Sequence, residues 1–320
     1  MNKQIRTVDQ KAGIVQITTV DDRWYARPTV NTTTGLPEYQ FVPSVTWITE
    51  HYPKGIAFYK WLANKGWDES VALKEAAGDK GSKVHAAVTD LIDGKTVTMD
   101  ACYVNPSTEQ PEPLTLDEYT CLMGFSAWHQ QAKPEIVAHD LVLWNDAVGY
   151  AGTLDFLYVK QGILHLPDVK TGQYVWPSHE LQVSAYRHCP QVQSIMDTMK
   201  LTEIQLEILQ IGYKKNQRGF KVTEVNDQFP LFLATKQIWA KETAGQSPSQ
   251  KDYPLSITLA PAAPPVADAG QGATPGGQEN GTSGRRQVRD RVREGGRGRV
   301  VGGDGRGSAV RRSPGVQVKK

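Results

Sequence analysis

Residues 152–170 read GTLDFLYVKQGILHLPDVK, and this stretch indicates the centre of the fold. Residues that favour strands, such as Phe, Leu, Tyr, Val and Ile, lie on both sides of the pair Gln161-Gly162, as they do in two antiparallel strands joined by a two-residue turn. In that register Asp155 lies directly opposite Asp168. Lys170 shares the face of Asp168, because alternate residues of a strand share a face. The stretch therefore predicts a hairpin with two facing carboxylates and a neighbouring ammonium group.

Two carboxylates at this separation repel each other, so a sheet tolerates them best when a cation lies between them. Mg²⁺ suits this position because it takes oxygen ligands and commonly needs only one or two carboxylates besides water and a substrate phosphate. A lysine beside such a metal holds the attacking water or offsets the charge that develops on the phosphate. The hairpin thus carries the side chains that phosphodiester hydrolysis requires.

The tripeptide Asp168-Val-Lys170 is by itself a weak indication of such a site. Asp9-Gln-Lys11 has the same form, and an exposed strand with ordinary alternating charge explains either one. Taken singly, His85 fits a structural helix histidine, Gln182 a solvated helix residue and Tyr186 a half-buried core aromatic. The interpretation depends on the elements around the hairpin.

Hydrophobic periodicity predicts those elements. Strands are expected within residues 13–48 and at 136–143, 150–159, 163–169, 203–213 and 219–225. Helices are expected at 45–65, from Gly81 to Gly94, and at 115–132, 178–189 and 231–241. This order of elements predicts a mixed α/β domain built around one sheet.

Three further motifs accompany the Asp-x-Lys tripeptide. Gly81-Ser-Lys-Val-His85 lies in the upstream helix, Gly152-Thr-Leu-Asp155 lies in the first strand of the hairpin, and Gln182 and Tyr186 share one face of the following helix. Together these residues resemble the RecB-type branch of the PD-(D/E)XK nuclease superfamily. That family combines a Gly-x-x-x-His helix, a Gly-x-x-Asp strand, an Asp/Glu-x-Lys strand and a Gln-x-x-x-Tyr helix. The resemblance spans about residues 43–225, and only the combination of motifs is specific.

The resemblance implies an α/β fold with a restriction-endonuclease-like core, in which helices flank a central mixed sheet. It implies that Asp155 and Asp168 are metal ligands and that Lys170 is the catalytic lysine. His85 would be a further metal ligand or a phosphate contact. The implied cofactor is Mg²⁺ or Mn²⁺.

By the same resemblance, Gln182 and Tyr186 would orient the lysine, the scissile phosphate or the DNA backbone. Many relatives carry a Glu on the strand before the Gly-x-x-Asp element, and Asp140 is the equivalent expected here. Iron–sulfur variants of the family need four flanking cysteines, so a chain with 3 cysteines predicts no iron–sulfur cluster. Four other histidines match no metal-ligand spacing and are expected to be structural: His139, His165, His179 and His188.

The function implied by the resemblance is that of a metal-dependent DNA exonuclease of phage or mobile-element recombination. DNA is then the partner, and a single-strand annealing or recombination protein is a second candidate partner. Three alternatives stay open. These are a structure-specific or guide-adaptation endonuclease of the same fold, a nuclease-fold DNA-binding protein that does not cut, and a non-nuclease interaction protein with a disordered tail. The intact set of Asp155, Asp168 and Lys170 argues against a protein that does not cut.

The C-terminal part of the chain differs in composition from the rest. No aromatic residue follows Tyr253, and residues 261–320 contain 14 Gly and 5 Pro. Such a segment is predicted to be disordered, because it has too little apolar surface to offset the entropy lost on ordering. We therefore expect a nuclease domain at residues 1–256 and a disordered basic tail at 257–320. The tail would either track a phosphate backbone or be a dispensable extension.

Charge and hydropathy exclude several classes of protein. Residues 271–320 contain 12 Lys and Arg against 4 Asp and Glu, and the whole chain has a net charge of +2, so the first 270 residues carry −6. A mildly acidic body excludes a generically basic DNA-coating protein. The N-terminus lacks the apolar stretch of a signal peptide, and no apolar run approaches the ~18 residues of a membrane span. These features predict a cytoplasmic protein without a membrane partner.

Overall fold

The structure is a computed structural model that describes residues 4–19 and 22–244. All of these residues belong to one compact unit, and the predicted tail at 257–320 lies outside them. The described strands are β1 (Gln4–Asp9), β2 (Ile14–Thr18), β3 (Arg23–Val30), β4 (Pro37–Pro43), β5 (Cys102–Asn105), β6 (Gln110–Pro113), β7 (Glu135–Asn145), β8 (Tyr150–Lys160), β9 (Ile163–Lys170), β10 (Ile204–Ile211) and β11 (Phe220–Val225). The described helices are α1 (Val45–Glu50), α2 (Ile56–Lys65), α3 (Trp67–Ile92), α4 (Leu116–Ala132), α5 (Pro177–Arg187), α6 (Pro190–Met199) and α7 (Phe229–Glu242). None of these helices is long and apolar enough to cross a membrane.

The central sheet has five strands in the order β11-β10-β9-β8-β7. β9 and β10 run parallel and the other neighbours run antiparallel, so the sheet is mixed, as predicted. One hydrophobic core packs one face of the sheet against α1, α5, α6 and α7. A second core packs the opposite face against α3 and α4. The protein is therefore an α/β fold in which helices flank a mixed sheet.

The hairpin of β8 and β9 has the predicted two-residue turn. Gln161 (φ 53°) and Gly162 (φ 77°) both have positive φ, the combination of a type I′ turn, whose twist suits a hairpin. The hydrogen-bonded ladder begins at the pair Lys160–Ile163 and ends at the pair Tyr158–His165. The predicted register is confirmed for these pairs.

The ladder ends before it reaches Asp155 and Asp168, so the expectation that these residues pair directly across it is wrong. Beyond the ladder, a side chain takes over the contact between the strands: Val169 N–H donates a hydrogen bond of 2.7 Å to Asp155 Oδ2. The predicted register assumes that pairing continues along the whole of both strands. The strands instead separate where the Asp155 side chain accepts the hydrogen bond of the Val169 N–H. The separation makes room for polar groups between β8 and β9.

The N-terminal strands form a sheet of their own, so the expectation of a single sheet is wrong. β1, β2, β3 and β4 are antiparallel in that order, and β5 and β6 form a further hairpin. The N-terminal sheet contacts the start of β8, where Tyr25 and Thr153 have hydroxyl oxygens 3.0 Å apart and Ser44 bridges to Ala151. Alternation along a sequence predicts strands, but the choice of sheet depends on packing between distant segments.

Helix α3 begins at Trp67, whereas the sequence predicted a helix beginning at Gly81. Residues 67–80 are rich in Ala, Leu, Lys and Glu, which have high helix propensity. Periodicity does not reveal this segment, because it is largely exposed and lacks a clear apolar stripe. The predicted end is confirmed, since α3 stops at Ile92 and Gly94 follows with a φ of 77°. α6 was also not predicted; it begins at Pro190, a residue suited to a first helical turn.

Candidate active site between β8, β9, α3 and α5

His85 of α3 and Asp155 of β8 form an ion pair against the backbone of β9. His85 Nδ1 lies 2.9 Å from Asp155 Oδ1, and His85 Nε2 lies 3.1 Å from the carbonyl oxygen of Val169. The second carboxylate oxygen of Asp155 accepts the hydrogen bond from Val169 N–H. Because both ring nitrogens face oxygen acceptors, the arrangement favours an imidazolium that donates from both nitrogens.

The ionisation of this pair follows from its surroundings. Burial opposes the charge on His85, but the attraction and hydrogen bond of Asp155 outweigh it, so the pKa of His85 is raised. Burial likewise opposes the charge on Asp155, but His85, the ammonium of Lys170 and the N–H of Val169 together lower the pKa of Asp155. Each member of the pair therefore stabilises the charged form of the other.

Asp168 is the most buried carboxylate of the site, with 3% of its surface exposed. Lys170 Nζ lies 2.6 Å from Asp168 Oδ2, so the ammonium is the charged partner of this buried oxygen. Among the described residues, no further donor reaches that oxygen. Burial outweighs the attraction of Lys170 and, together with the charge of Asp155, raises the pKa of Asp168 to about 6.

The lysine is joined to α5 through two further side chains. Lys170 Nζ donates to Gln182 Oε1 at 3.4 Å, and Gln182 Nε2 donates to the hydroxyl oxygen of Tyr186 at 2.9 Å. Gln182 and Tyr186 lie one helical turn apart on the same face of α5, which makes the second bond possible. The structure thus brings all six predicted site residues into one network: His85, Asp155, Asp168, Lys170, Gln182 and Tyr186.

The glycine of the Gly-x-x-Asp motif has a packing role in this network. A Cβ added to Gly152 would lie 2.5 Å from Cε1 of Tyr186, closer than two carbon atoms can approach. Tyr186 is 3% exposed, and burial raises its pKa well above the ordinary value. A side chain at position 152 would displace the ring that holds Gln182. Two of the sequence motifs are therefore in direct contact.

A buried ion pair sets the position of His85. Two residues earlier on α3, Lys83 Nζ lies 2.9 Å from Glu118 of α4 and donates to the carbonyl oxygen of Pro113 at 3.1 Å. The side chains of Lys83 and Glu118 are 4% and 6% exposed. Neither residue was singled out from the sequence, because a lone charged residue in a helix gives no signal that it is buried.

The loop from β9 to α5 is tied to the turn between β10 and β11. Gln173 Nε2 donates to the carbonyl oxygen of Gly212, and Gln173 Oε1 accepts from Lys214 N–H, each at 2.9 Å. Gln210 Nε2 donates to the carbonyl oxygen of Gly172 at 2.9 Å. These bonds hold the segment that follows Lys170 in one position.

No hydrogen bond or ion pair joins Asp140 to the six network residues. It lies in β7 between the pairs His139–Phe156 and Leu141–Leu154, a position that faces Asp155, and it has a φ of 48°. Its Oδ2 accepts a hydrogen bond of 2.9 Å from Thr89, one turn after His85 on α3. A non-glycine residue held at positive φ inside a strand is strained. The structure places Asp140 beside the network but shows no role for it.

His179 is a site neighbour that the sequence predicted only as structural. Burial, together with the positive charges of Lys170 and Lys54, lowers the pKa of His179 to about 3, so its ring is neutral. Its Nδ1 accepts a hydrogen bond of 3.3 Å from Trp176 N–H. The other three histidines contact carboxylates outside the network: His165 with Glu207 at 2.8 Å, His188 with Asp227 at 2.7 Å and His139 with Asp93 at 3.3 Å.

The site supplies few protein ligands for a metal ion. Within residues 4–19 and 22–244, no three His, Cys, Asp or Glu side chains converge as they do around a fully protein-bound metal. Mg²⁺ needs only one or two carboxylates, since water and substrate phosphate supply the other ligands. Asp155 and Asp168 meet that requirement, and among the described residues only the ammonium of Lys170 lies against the buried Asp168 Oδ2. These residues fit Mg²⁺.

Comparison of the chain with models of protein families and with curated proteins finds no match in either case. A functional assignment therefore depends on the residues of this site.

Proposed function

We propose that this protein is a metal-dependent DNA exonuclease with a restriction-endonuclease-like core of the RecB type. One observation carries the proposal. Side chains from two strands and two helices, widely separated in the chain, converge on a buried carboxylate whose pKa is raised although the ammonium of Lys170 lies 2.6 Å from it. Fold stability alone does not favour such a carboxylate, because the cost of burying its charge exceeds the attraction of Lys170.

The residues of the site divide into two groups. Asp155 and Asp168 would hold the metal ion through carboxylate oxygens. When bound, Mg²⁺ or Mn²⁺ lowers the pKa of a coordinated water and polarises a phosphate oxygen. Lys170 orients the attacking water or offsets the negative charge that develops on the phosphate.

The remaining residues position these groups. Gln182 holds the ammonium of Lys170, and Tyr186 holds Gln182. Both ring nitrogens of His85 face oxygen atoms of the protein, so neither points to an open position for a metal. Among its two predicted roles we therefore favour a cationic group that holds Asp155 and attracts a phosphate. The setting in phage or mobile-element recombination, and a single-strand annealing partner, follow from the family resemblance and are part of the proposal.

The test uses purified full-length protein and DNA labelled at the 5′ or the 3′ end. Linear and covalently closed circular DNA are incubated with Mg²⁺, with Mn²⁺ or with EDTA. We expect degradation of linear DNA only, with either metal and not with EDTA, and no degradation by Asp168→Asn. Nicking of closed circles would instead identify an endonuclease of the same fold. Binding of DNA without cleavage under any metal condition would identify a DNA-binding protein that does not cut. Either result would overturn the proposal.

A further inference from the structure

Helix α2 and the beginning of α3 expose a cluster of aromatic side chains. α2 has no buried residue, and the exposed fractions are 39% for Phe58, 53% for Tyr59, 38% for Trp61 and 73% for Trp67. The centre of the Phe58 ring lies 5.6 Å from that of Tyr59 and 5.9 Å from that of Trp61. Contiguous exposed apolar side chains of this size mark a binding surface rather than a solvated helix.

A second exposed aromatic pair lies four and six residues after the candidate catalytic lysine. Tyr174 and Trp176, in the loop between β9 and α5, are 60% and 58% exposed. Their ring centres are 5.9 Å apart, and Lys215 Nζ lies 4.7 Å from the centre of the Tyr174 ring. Because Gln173 ties this loop to the turn between β10 and β11, the two rings are presented by a supported segment. Burying these rings would stabilise the fold, so their exposure indicates a surface that binds a partner.

Basic residues accompany these rings in a body that is acidic. Residues 51–67 contain Lys54, Lys60 and Lys65, of which Lys65 pairs with Glu69 in the first turn of α3 at 2.6 Å. Residues 212–223, beside the loop, contain four basic residues and no Asp or Glu. The first 270 residues together carry −6, so basic and aromatic residues are concentrated where the rings are exposed. This surface complements a polyanion.

The loop after β9 and the start of α2 both lie near the candidate active site. Lys54, two residues before α2, and Lys170 are both close enough to His179 to lower its pKa by their charges. His179 lies in the first turn of α5 and is hydrogen-bonded to the backbone of Trp176. The start of α2, the loop and the catalytic lysine are therefore neighbours around one histidine.

We infer that the exposed rings form a surface that binds single-stranded DNA and guides it to the site, an inference that rests on the proposed function. We call this the aromatic surface: Phe58, Tyr59, Trp61, Trp67, Tyr174 and Trp176. A single strand exposes the faces of its bases, whereas a duplex hides them in its own stack. Aromatic rings interleaved with basic residues bind such bases without sequence preference. The substrate class is thus an end with a single-stranded segment.

The test measures binding in EDTA, so that cleavage is not needed. Labelled single-stranded and blunt duplex oligonucleotides are titrated with the wild type, with Tyr174→Ala/Trp176→Ala and with Phe58→Ala/Trp61→Ala. The control is Val30→Ala/Ile238→Ala, which removes apolar side chains that are 59% and 42% exposed elsewhere. We expect each aromatic pair to lose single-strand affinity by about fivefold or more for each ring removed, with duplex affinity and the control nearly unchanged. Tyr174→Phe/Trp176→Phe keeps both rings and should keep the affinity.

Three results would overturn the inference. The first is an unchanged single-strand affinity in both aromatic variants. The second is an equal loss of single-strand and duplex affinity, which would indicate phosphate contacts only. The third is a change in sedimentation with unchanged DNA binding, which would assign the surface to a second copy of the chain. Failure of the proposed function gives a different result: the wild type does not cleave linear DNA with either metal, whatever its affinity in EDTA.

Discussion

Asp168 and Asp155 are neighbouring carboxylates whose pKa values move in opposite directions. Burial raises the pKa of Asp168 from 3.8 to about 6. Burial also acts on Asp155, but there the charge and hydrogen bond of His85 prevail and the pKa of Asp155 is lowered. A carboxylate with a raised pKa destabilises the folded state once it is ionised, and one with a lowered pKa stabilises it.

The two aspartates therefore predict opposite effects of the same substitution on stability. Above pH 6, Asp168→Asn should increase the free energy of unfolding by on the order of 2 kcal/mol, because it removes a buried charge. The gain should shrink as the pH falls through 6 and vanish below about 4, where the wild-type carboxyl is protonated in both states. Urea unfolding in EDTA between pH 4 and pH 8 measures this. Asp155→Asn is the matched control and should lose stability at pH 7. The same sign for both variants would contradict the assigned pKa directions.

Substitution of Lys170 tests the chemistry of the site rather than its stability. Lys170→Ala should leave metal binding nearly unchanged but lower the single-turnover cleavage rate by about 100-fold or more, because the ammonium acts on the water and the transition state. Lys170→Arg should not restore the rate, since a planar guanidinium cannot replace a compact ammonium held by Gln182. Lys241→Ala on α7 serves as the exposed-lysine control. A wild-type rate in Lys170→Ala would refute the role given to this residue.

At the scale of elements, the buried pair of Lys83 and Glu118 holds α3 against α4 and so positions His85. Lys83→Met should destabilise the protein by about 3–5 kcal/mol, because it leaves Glu118 buried without a partner charge. Lys83→Met/Glu118→Gln should recover most of that loss, since the glutamine is neutral and can still accept from the N–H of Thr115 at the start of α4. Urea unfolding of the two variants measures the difference. Equal losses in both would show that charge does not decide the stability of this contact.

Most helices and strands were predictable because their signals are local. The β8–β9 hairpin follows from its strand-forming residues and from Gln161-Gly162, and α4 follows from its apolar stripe. The first half of α3 was not predictable from periodicity, because a helix that buries almost none of its side chains there has no apolar stripe. The end of the β8–β9 ladder was also not predictable, since it depends on the Asp155 side chain and Val169 N–H.

At the scale of the whole molecule, the basic C-terminal segment is separate from the site in the sequence. Truncation after residue 259 should leave the melting temperature and the single-turnover rate unchanged, because every network residue precedes Ala244. We expect weaker DNA binding at low salt and a flatter dependence of affinity on salt, since the 12 Lys and Arg of residues 271–320 are removed. Binding titrations of both proteins at several salt concentrations measure this. If both proteins bind DNA with the same affinity and the same dependence on salt, the segment is a dispensable extension.

The sequence by itself determined the contacts and shared faces of residues that lie close together along one strand or helix. Asp168 and Lys170 share a face because strand residues alternate, and Gln182 and Tyr186 are in contact because they lie one helical turn apart. Only the tertiary structure decided that His85 meets Asp155, that Asp168 is buried with a pKa of about 6, and that the N-terminal strands form a second sheet. It also decided that the rings of α2 remain exposed. Burial and long-range contacts depend on which distant segments pack together, and no spacing along the chain specifies that.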